Sequence, residues 1–273
     1  MTARALRPIA VVRVGPGARA SSADVAVAEE PMAIRLNGDP FAVIMRTPGA
    51  DRELAAGFLL SEHVITGSDD LGNIVYCTEA ETAGLQNVLD VQIVGDAVAR
   101  LPTMLAERRQ VTTNSSCGLC GRKTIESLRE QAPRVTASWT VSADAVRAWP
   151  VTLRAAQTVF DETGGLHAAG LFDARGTIVT LAEDVGRHNA VDKVVGRMLL
   201  MDRLPLAGCA LVVSGRTSYE IVQKAFVAGI PIVASVSAPS GLAIDLAEDA
   251  GITLVGFVRG ETFNIYAHPE RIA

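Results

Sequence analysis

The chain has 273 residues, 49% of them hydrophobic and 20% charged, which is enough to bury one large core or two ordinary ones. A formal net charge of −5 argues against bulk electrostatic binding of nucleic acid or of an anionic membrane surface. The longest clear apolar run, LAAGFLL at 54–60, is far too short to span a bilayer, and aromatics at 4% leave a mostly aliphatic core.

The first 23 residues hold Arg4, Arg7, Arg13 and Arg19 without an acid, and IAVV is too brief for the core of a signal peptide. They predict a basic, partly disordered start and, with no export signal, a cytoplasmic protein. AIRLNGDPFAVIMRT (33–47) is a hairpin signal, because Asn37-Gly38 accepts the left-handed angles of a tight turn. RELAAGFLLSEHV (52–64) has helical spacing, NIVYCTE (73–79) and NVLDVQIVG (87–95) read as strands, and LPTMLAERR (101–109) as a short helix. TTNSSCGLC carries no apolar period and predicts a loop, followed by a helix over 121–131. Ser142 predicts a cap for a helix over 142–149, and 151–163 a second helix.

After Gly164 the pattern changes. Residues 167–184 predict a strand hairpin and 185–202 a strong amphipathic helix. CALVVSG, IPIVASV and ITLVGFVRG then alternate with helical stretches, which predicts an open, largely parallel sheet covered on both faces. The expected fold class is α/β: a small α+β domain over 1–110, then an α/β domain over 111–273 preceded by a mobile loop with the cysteine pair.

Of four cysteines, Cys77 and Cys209 sit in strand-like runs and read as buried apolar residues. The pair Cys117 and Cys120 needs a chemical explanation. A structural zinc site lacks its second ligand pair, and a zinc deaminase would need Pro before the pair and His-x-Glu upstream, neither of which is present; no metal ligand is assigned. A thiol–disulfide oxidoreductase and a sulfur carrier both remain open. Arg108, Arg109, Arg122 and Lys123 and a helix start would lower a thiol pKa in either case, and Gly118 and Gly121 would let a partner approach.

Four small-polar turns predict an anion cradle beyond strand ends: Gly186-Arg187-His188, Ser214-Gly215-Arg216-Thr217-Ser218, SAPSG at 237–241 and VRGET at 258–262. Arg187, Arg216 and Arg259 could pair with phosphate. His188 reads as a surface or ligand-facing histidine and His167 as a structural one; Asp184 and Asp192 would cap the helix or pair with Arg187 and Lys193.

NSSCGLCG, FDETGGLHAAGLFD, EDVGRHNAVDK, VVSGRTSYEIVQKA and SAPSGLAIDLAE followed by FVRGETFNIYAHPERI together resemble the FdhD family of formate dehydrogenase accessory sulfurtransferases. The resemblance implies a cytidine-deaminase-like fold for the larger domain, a homodimer, and transfer of sulfur from a cysteine desulfurase to the molybdenum cofactor, molybdenum-bis(molybdopterin guanine dinucleotide), needed by formate dehydrogenase. It implies a persulfide on Cys117, with Cys120 as second member of the pair, and cofactor binding by Phe257, Val258, Arg259, Gly260, Glu261 and Thr262; guanine nucleotides would be analogues. Arg187, His188, Ser214, Gly215 and Arg216 are the further cofactor-binding candidates. A non-catalytic cofactor chaperone is the other alternative.

Overall fold

The computed structural model describes residues 4–77, 86–109 and 133–273. Cys117, Cys120, their predicted loop and the helix expected over 121–131 lie outside the described residues. Among the described residues there are seven α-helices and three sheets.

The start of the chain corrects the expectation of disorder. β1(Leu6–Gly15) and β2(Ala18–Val27) pair antiparallel, from Leu6 with Val27 to Gly15 with Ala18. Pro16-Gly17 makes the turn, with Gly17 at φ 75 where a side chain would be strained. The base of this hairpin is anchored, since Ala28 N donates to Ala5 O and Ala5 packs with Val159 and Leu166; most of its remaining residues are exposed.

β3(Glu30–Leu36) and β4(Asp39–Arg46) form the expected hairpin, with Asn37 and Gly38 at φ 50 and 89. With β5(Leu71–Tyr76) and β6(Val88–Ile93) they make a four-stranded sheet in the order β4-β3-β6-β5. Alternate residues Met32, Ile34 and Leu36, beside Leu89, Val91 and Ile93, face α1(Asp51–Ser61). α2(Ala97–Arg109) follows β6 and begins four residues earlier than its apolar spacing suggests.

α3(Ala143–Ala155) is capped by Ser142, whose side chain accepts from Ala145 N, as expected. It does not end before Pro150 but runs through it, and only Thr158–Thr163 forms the next helix, α4. A proline inside a helix costs about 3 kcal/mol. Burial of Val146, Trp149 and Leu153 along one face, at about 1.5–3 kcal/mol each, offsets it.

The second half builds a six-stranded sheet in the order β12-β11-β10-β9-β7-β8. Its strands are β7(His167–Phe172), β8(Ile178–Asp184), β9(Ala210–Val213), β10(Ile232–Ser235), β11(Thr253–Arg259) and β12(Thr262–Ala267). It is mixed rather than largely parallel: β9–β10 and β10–β11 are parallel, while β7–β8, β7–β9 and β11–β12 are antiparallel. The two-residue turn at Gly260-Glu261 sends the chain straight back as β12, a strand the sequence reading missed. α3 covers one face, over Ala168, Phe172, Ala210, Val212, Ile232 and Val255. α5(Arg187–Leu200), α6(Tyr219–Val227) and α7(Gly241–Ala250) contribute to the core of the other, over Ala169, Leu171, Leu211, Val213, Val233 and Leu254.

α5 corrects a second expectation. It has no broad polar face, because α1 lies across it and one continuous core joins both sheets there. Asp192 and Lys193 are therefore buried: Lys193 meets Asp184, 2.7 Å away, one of the pairings the sequence offered, whereas Asp192 meets Lys224, 2.9 Å away, which it did not. Cys77 and Cys209 are half-buried rather than buried, and Cys209 packs against the core, where burial pushes its thiol pKa up.

Candidate functional site

The topology gathers all four predicted turns at one edge of the large sheet. β8, β9, β10 and β11 run in the same direction, so their carboxyl ends, and the start of antiparallel β7, lie on that edge. Three backbone bonds and one from a side chain lace three of the turns together. Thr217 N donates to Ala238 O at 3.3 Å and Ser240 N to Thr217 O at 3.0 Å. Phe257 N donates to Ser237 O at 3.2 Å, and Arg259 Nε to Val236 O at 2.6 Å. The Thr217 hydroxyl is buried without a partner in this turn.

The fourth turn is pinned by Asp184, which is fully buried. Its oxygens accept from Gly186 N at 2.8 Å, Asn189 Nδ2 at 2.9 Å and Thr47 N at 3.1 Å, and Lys193 Nζ supplies the countercharge. Arg187 and His188 thereby open α5 at a fixed position, beside β7 and β9. A Cβ on Gly215 would stand 3.4 Å from His167 Nδ1 and 3.6 Å from Arg187 Cδ, so the two side chains flank that glycine. The Arg187 Nε is buried and has no hydrogen-bond partner among the described residues. Ser214 serves the sheet: its Oγ accepts from Ala168 N at 2.8 Å. Arg216 is exposed on the same turn.

His188 is mostly buried, not a surface group. Its Nε2 stands 3.1 Å from Ser218 Oγ and its Nδ1 3.1 Å from Glu220 Oε2, although that oxygen makes no hydrogen bond of good angle. Burial, and then the positive charges of Lys224 and Arg187, hold the imidazole down at about 3, so it is neutral. Burial, opposed by Lys224 and helped by Asp192, pushes the Glu220 carboxyl up to about 7. Lys224, although buried, is held charged: burial lowers its pKa, but Asp192 and Glu220 outweigh that. Burial pushes the Asp192 carboxyl up, opposed by two bonds of 2.9 Å from Lys224 and one of 3.0 Å from Ser61 Oγ.

The segment Phe257–Thr262 is the tip of the β11–β12 hairpin. Phe257 takes φ 53 at a bulge and Gly260 φ 55 in the turn. Val258 points into the core, whereas Phe257, Arg259, Gly260, Glu261 and Thr262 are exposed, and the Arg259 guanidinium lies 5.7 Å from the centre of the Phe257 ring. Between this tip and α3 runs a cleft of about 750 Å³, lined by Arg147, Val151, Arg154, Val258, Arg259 and Glu261 among others. Arg147 and Arg154, two helical turns apart on α3, are residues that sequence reasoning missed; the spacing was legible but nothing tied α3 to the hairpin. Ser218, Glu220 and Lys224 were also missed as a group, because Glu and Lys four apart on a helix ordinarily read as a solvated pair.

The candidates therefore fall into two patches on one edge. Four strand spacings, roughly 19 Å, separate β8, which leads into Arg187 and His188, from β11 with Arg259. No helix of the described residues is long and apolar enough to cross a membrane.

Comparison with known proteins gives consistent likenesses. The family model for the FdhD/NarQ family matches residues 27–273. A protein of Streptomyces avermitilis named "Sulfur carrier protein FdhD" is 52% identical, covering 96% of this chain and 94% of its own. One of the same name from Anaeromyxobacter dehalogenans is 48% identical, over 91% and 88% of the two chains. A crystal structure assigned as a formate dehydrogenase accessory protein of Desulfotalea psychrophila superposes with a TM-score of 0.77 at 28% identity, covering 98% of this chain and 99% of that one.

Proposed function

Because the chain belongs to the FdhD/NarQ family, we propose that it is a sulfur carrier that serves formate dehydrogenase. The observation that carries this reading is near-full-length identity of about half with proteins named for sulfur carriage. Cys117 is the carrier atom in this reading. Its thiolate attacks the outer sulfur of a persulfide on a cysteine desulfurase; the new S–S bond forms as the donor's S–S bond breaks, and the donor cysteine leaves as thiolate. Cys120 assists the later release. The recipient is the molybdenum-bis(molybdopterin guanine dinucleotide) cofactor, held as substrate along the strand-end edge of a homodimer subunit.

The residues at that edge suit such a substrate. Arg147, Arg154 and Arg259 line a cleft beside an exposed glycine turn, where phosphate oxygens can meet guanidinium groups. Arg187 and Arg216 offer positive charge near the starts of α5 and α6. The test is intact mass after incubation with a desulfurase and cysteine. Wild type gains one sulfur atom, removable by thiol; Cys117→Ser gains none and fails to activate formate dehydrogenase while still binding guanine nucleotide. Full activation by Cys117→Ser would sink the reading, and a reversible disulfide with no retained sulfur would favour thiol–disulfide exchange.

A further inference from the structure

Three helices of the second half begin at a serine in the N-cap position. Ser142 and Ser240 do what such serines do, accepting from Ala145 N at 3.2 Å and Ala243 N at 3.3 Å. Ser218 makes no cap bond at the start of α6. Its hydroxyl turns instead to His188 Nε2, 3.1 Å away, across to a different helix. The other ring nitrogen of His188 is 3.1 Å from Glu220 Oε2, and Glu220 lies 3.6 Å from Lys224, which Asp192 anchors. A hydroxyl, an imidazole and a carboxylate thus stand in series, at the open edge of an α/β sheet, backed by a buried ion pair that fixes the carboxylate.

We propose that Ser218, His188 and Glu220 form a nucleophilic triad that transfers the acyl group of a small ester or thioester bearing an anionic end. Ser218 Oγ bonds to the acyl carbon while its proton passes to His188 Nε2. The same proton leaves on the alcohol or thiol as the C–O or C–S bond breaks. Water repeats the exchange, releasing the carboxylic acid and restoring Ser218. Glu220 is a positioning residue: its Oε2 stands 3.1 Å from His188 Nδ1 without a hydrogen bond in the resting geometry, and once ionised it turns to accept from Nδ1, supplying the negative charge that lets Nε2 take the serine proton. Arg187, whose buried Nε beside Gly215 has no partner among the described residues, holds the anionic end. This chemistry uses neither cysteine of the pair; it shares Arg187 with the proposed cofactor edge and is separable from the sulfur-carrier reading at Cys117.

The full-length protein is treated with a fluorophosphonate probe, the labelled peptide is mapped, and p-nitrophenyl acetate hydrolysis is followed. The expected result is a label on Ser218 and turnover that falls at least ~100-fold in Ser218→Ala and in His188→Gln. Glu220→Gln lowers turnover and removes its rise with pH, a readout that a purely structural role would not move. The groups that face this titration are His188, Lys224, Asp192, Glu62, Arg187 and His167. Cys117→Ser keeps both label and turnover, so loss of sulfur loading in that variant bears on the carrier reading alone. An unlabelled Ser218 in protein shown folded by circular dichroism overturns the triad, as does labelling that His188→Gln leaves unchanged.

Discussion

Gly57 of α1 and Gly196 of α5 meet back to back: a Cβ on Gly196 would stand 2.6 Å from the Gly57 nitrogen, and one on Gly57 2.7 Å from the carbonyl carbon of Asp192. The atoms in the way are backbone, which cannot swing aside as a side chain would. The close crossing brings the small sheet's helix onto the large sheet's helix and closes the core that both share. Gly57→Ala and Gly196→Ala are each expected to destabilise the fold by roughly 1–3 kcal/mol or more through overpacking, although alanine is the better helix former. Urea unfolding checks this; a neutral or stabilising effect at Gly196 would mean that the helices do not pack so closely.

The same crossing shows where sequence reasoning ran out. The Asn37-Gly38 turn, the Ser142 cap and the β7–β8 hairpin were legible because each is decided by residues within a few positions. The partner of Asp192 was not, since it lies 32 residues ahead at Lys224. Local charge spacing brought Asp184 within reach of Lys193 but offered Asp192 nothing beyond its own helix start. The edge itself could be foreseen from strand direction, but its division into two patches follows from the order β11-β10-β9-β7-β8, which no short motif carries. The β1–β2 hairpin was passed over because its arginines were read as composition, although Pro16-Gly17 after the β-branched run IAVVRV was a turn signal.

The Lys224–Asp192 pair is almost fully buried, so removing one member leaves a charge without its partner. Lys224→Met is expected to cost about 3–5 kcal/mol. The double change Lys224→Met with Asp192→Leu should recover part of that loss, because neither charge then needs solvation. Thermal unfolding of the two single variants and the double variant measures the coupling. A double variant as unstable as the sum of the singles would show that the pair does not interact.

Glu220 gives the fold a pH dependence of defined sign. Its carboxyl is raised to about 7 in the folded chain from an ordinary value of 4.5, so the fold binds this proton more tightly than the unfolded chain does. That stabilisation is full below about 4.5 and is lost as pH rises through 7. His188, held down at about 3 from 6.5, acts oppositely, favouring the fold above 6.5 and losing that as pH falls. Glu220→Gln should therefore gain on wild type between pH 5 and pH 8, read as the difference in Tm at matched ionic strength. A constant difference across that interval would place the proton elsewhere.

The cleft between α3 and the β11–β12 tip offers a separate test of the proposed nucleotide binding. Arg147 is already shared between Asp144 and Glu261, Arg154 pairs with Asp161, and Arg259 holds Val236 O, so each guanidinium is positioned before any ligand arrives. Positioned guanidinium groups bind phosphate with less loss of side-chain freedom. Arg147→Ala and Arg259→Ala should each weaken binding of guanosine diphosphate by about 1.5–3 kcal/mol, the worth of a charge-assisted hydrogen bond. Glu261→Gln should tighten it modestly by removing a like charge from the rim. Arg175→Ala, an exposed arginine in the β7–β8 turn at the far end of the sheet, is the control and should change nothing. Calorimetric titration separates the outcomes: equal loss in Arg175→Ala would indicate nonspecific charge attraction, whereas loss confined to Arg187→Ala would put the phosphates at the start of α5 instead.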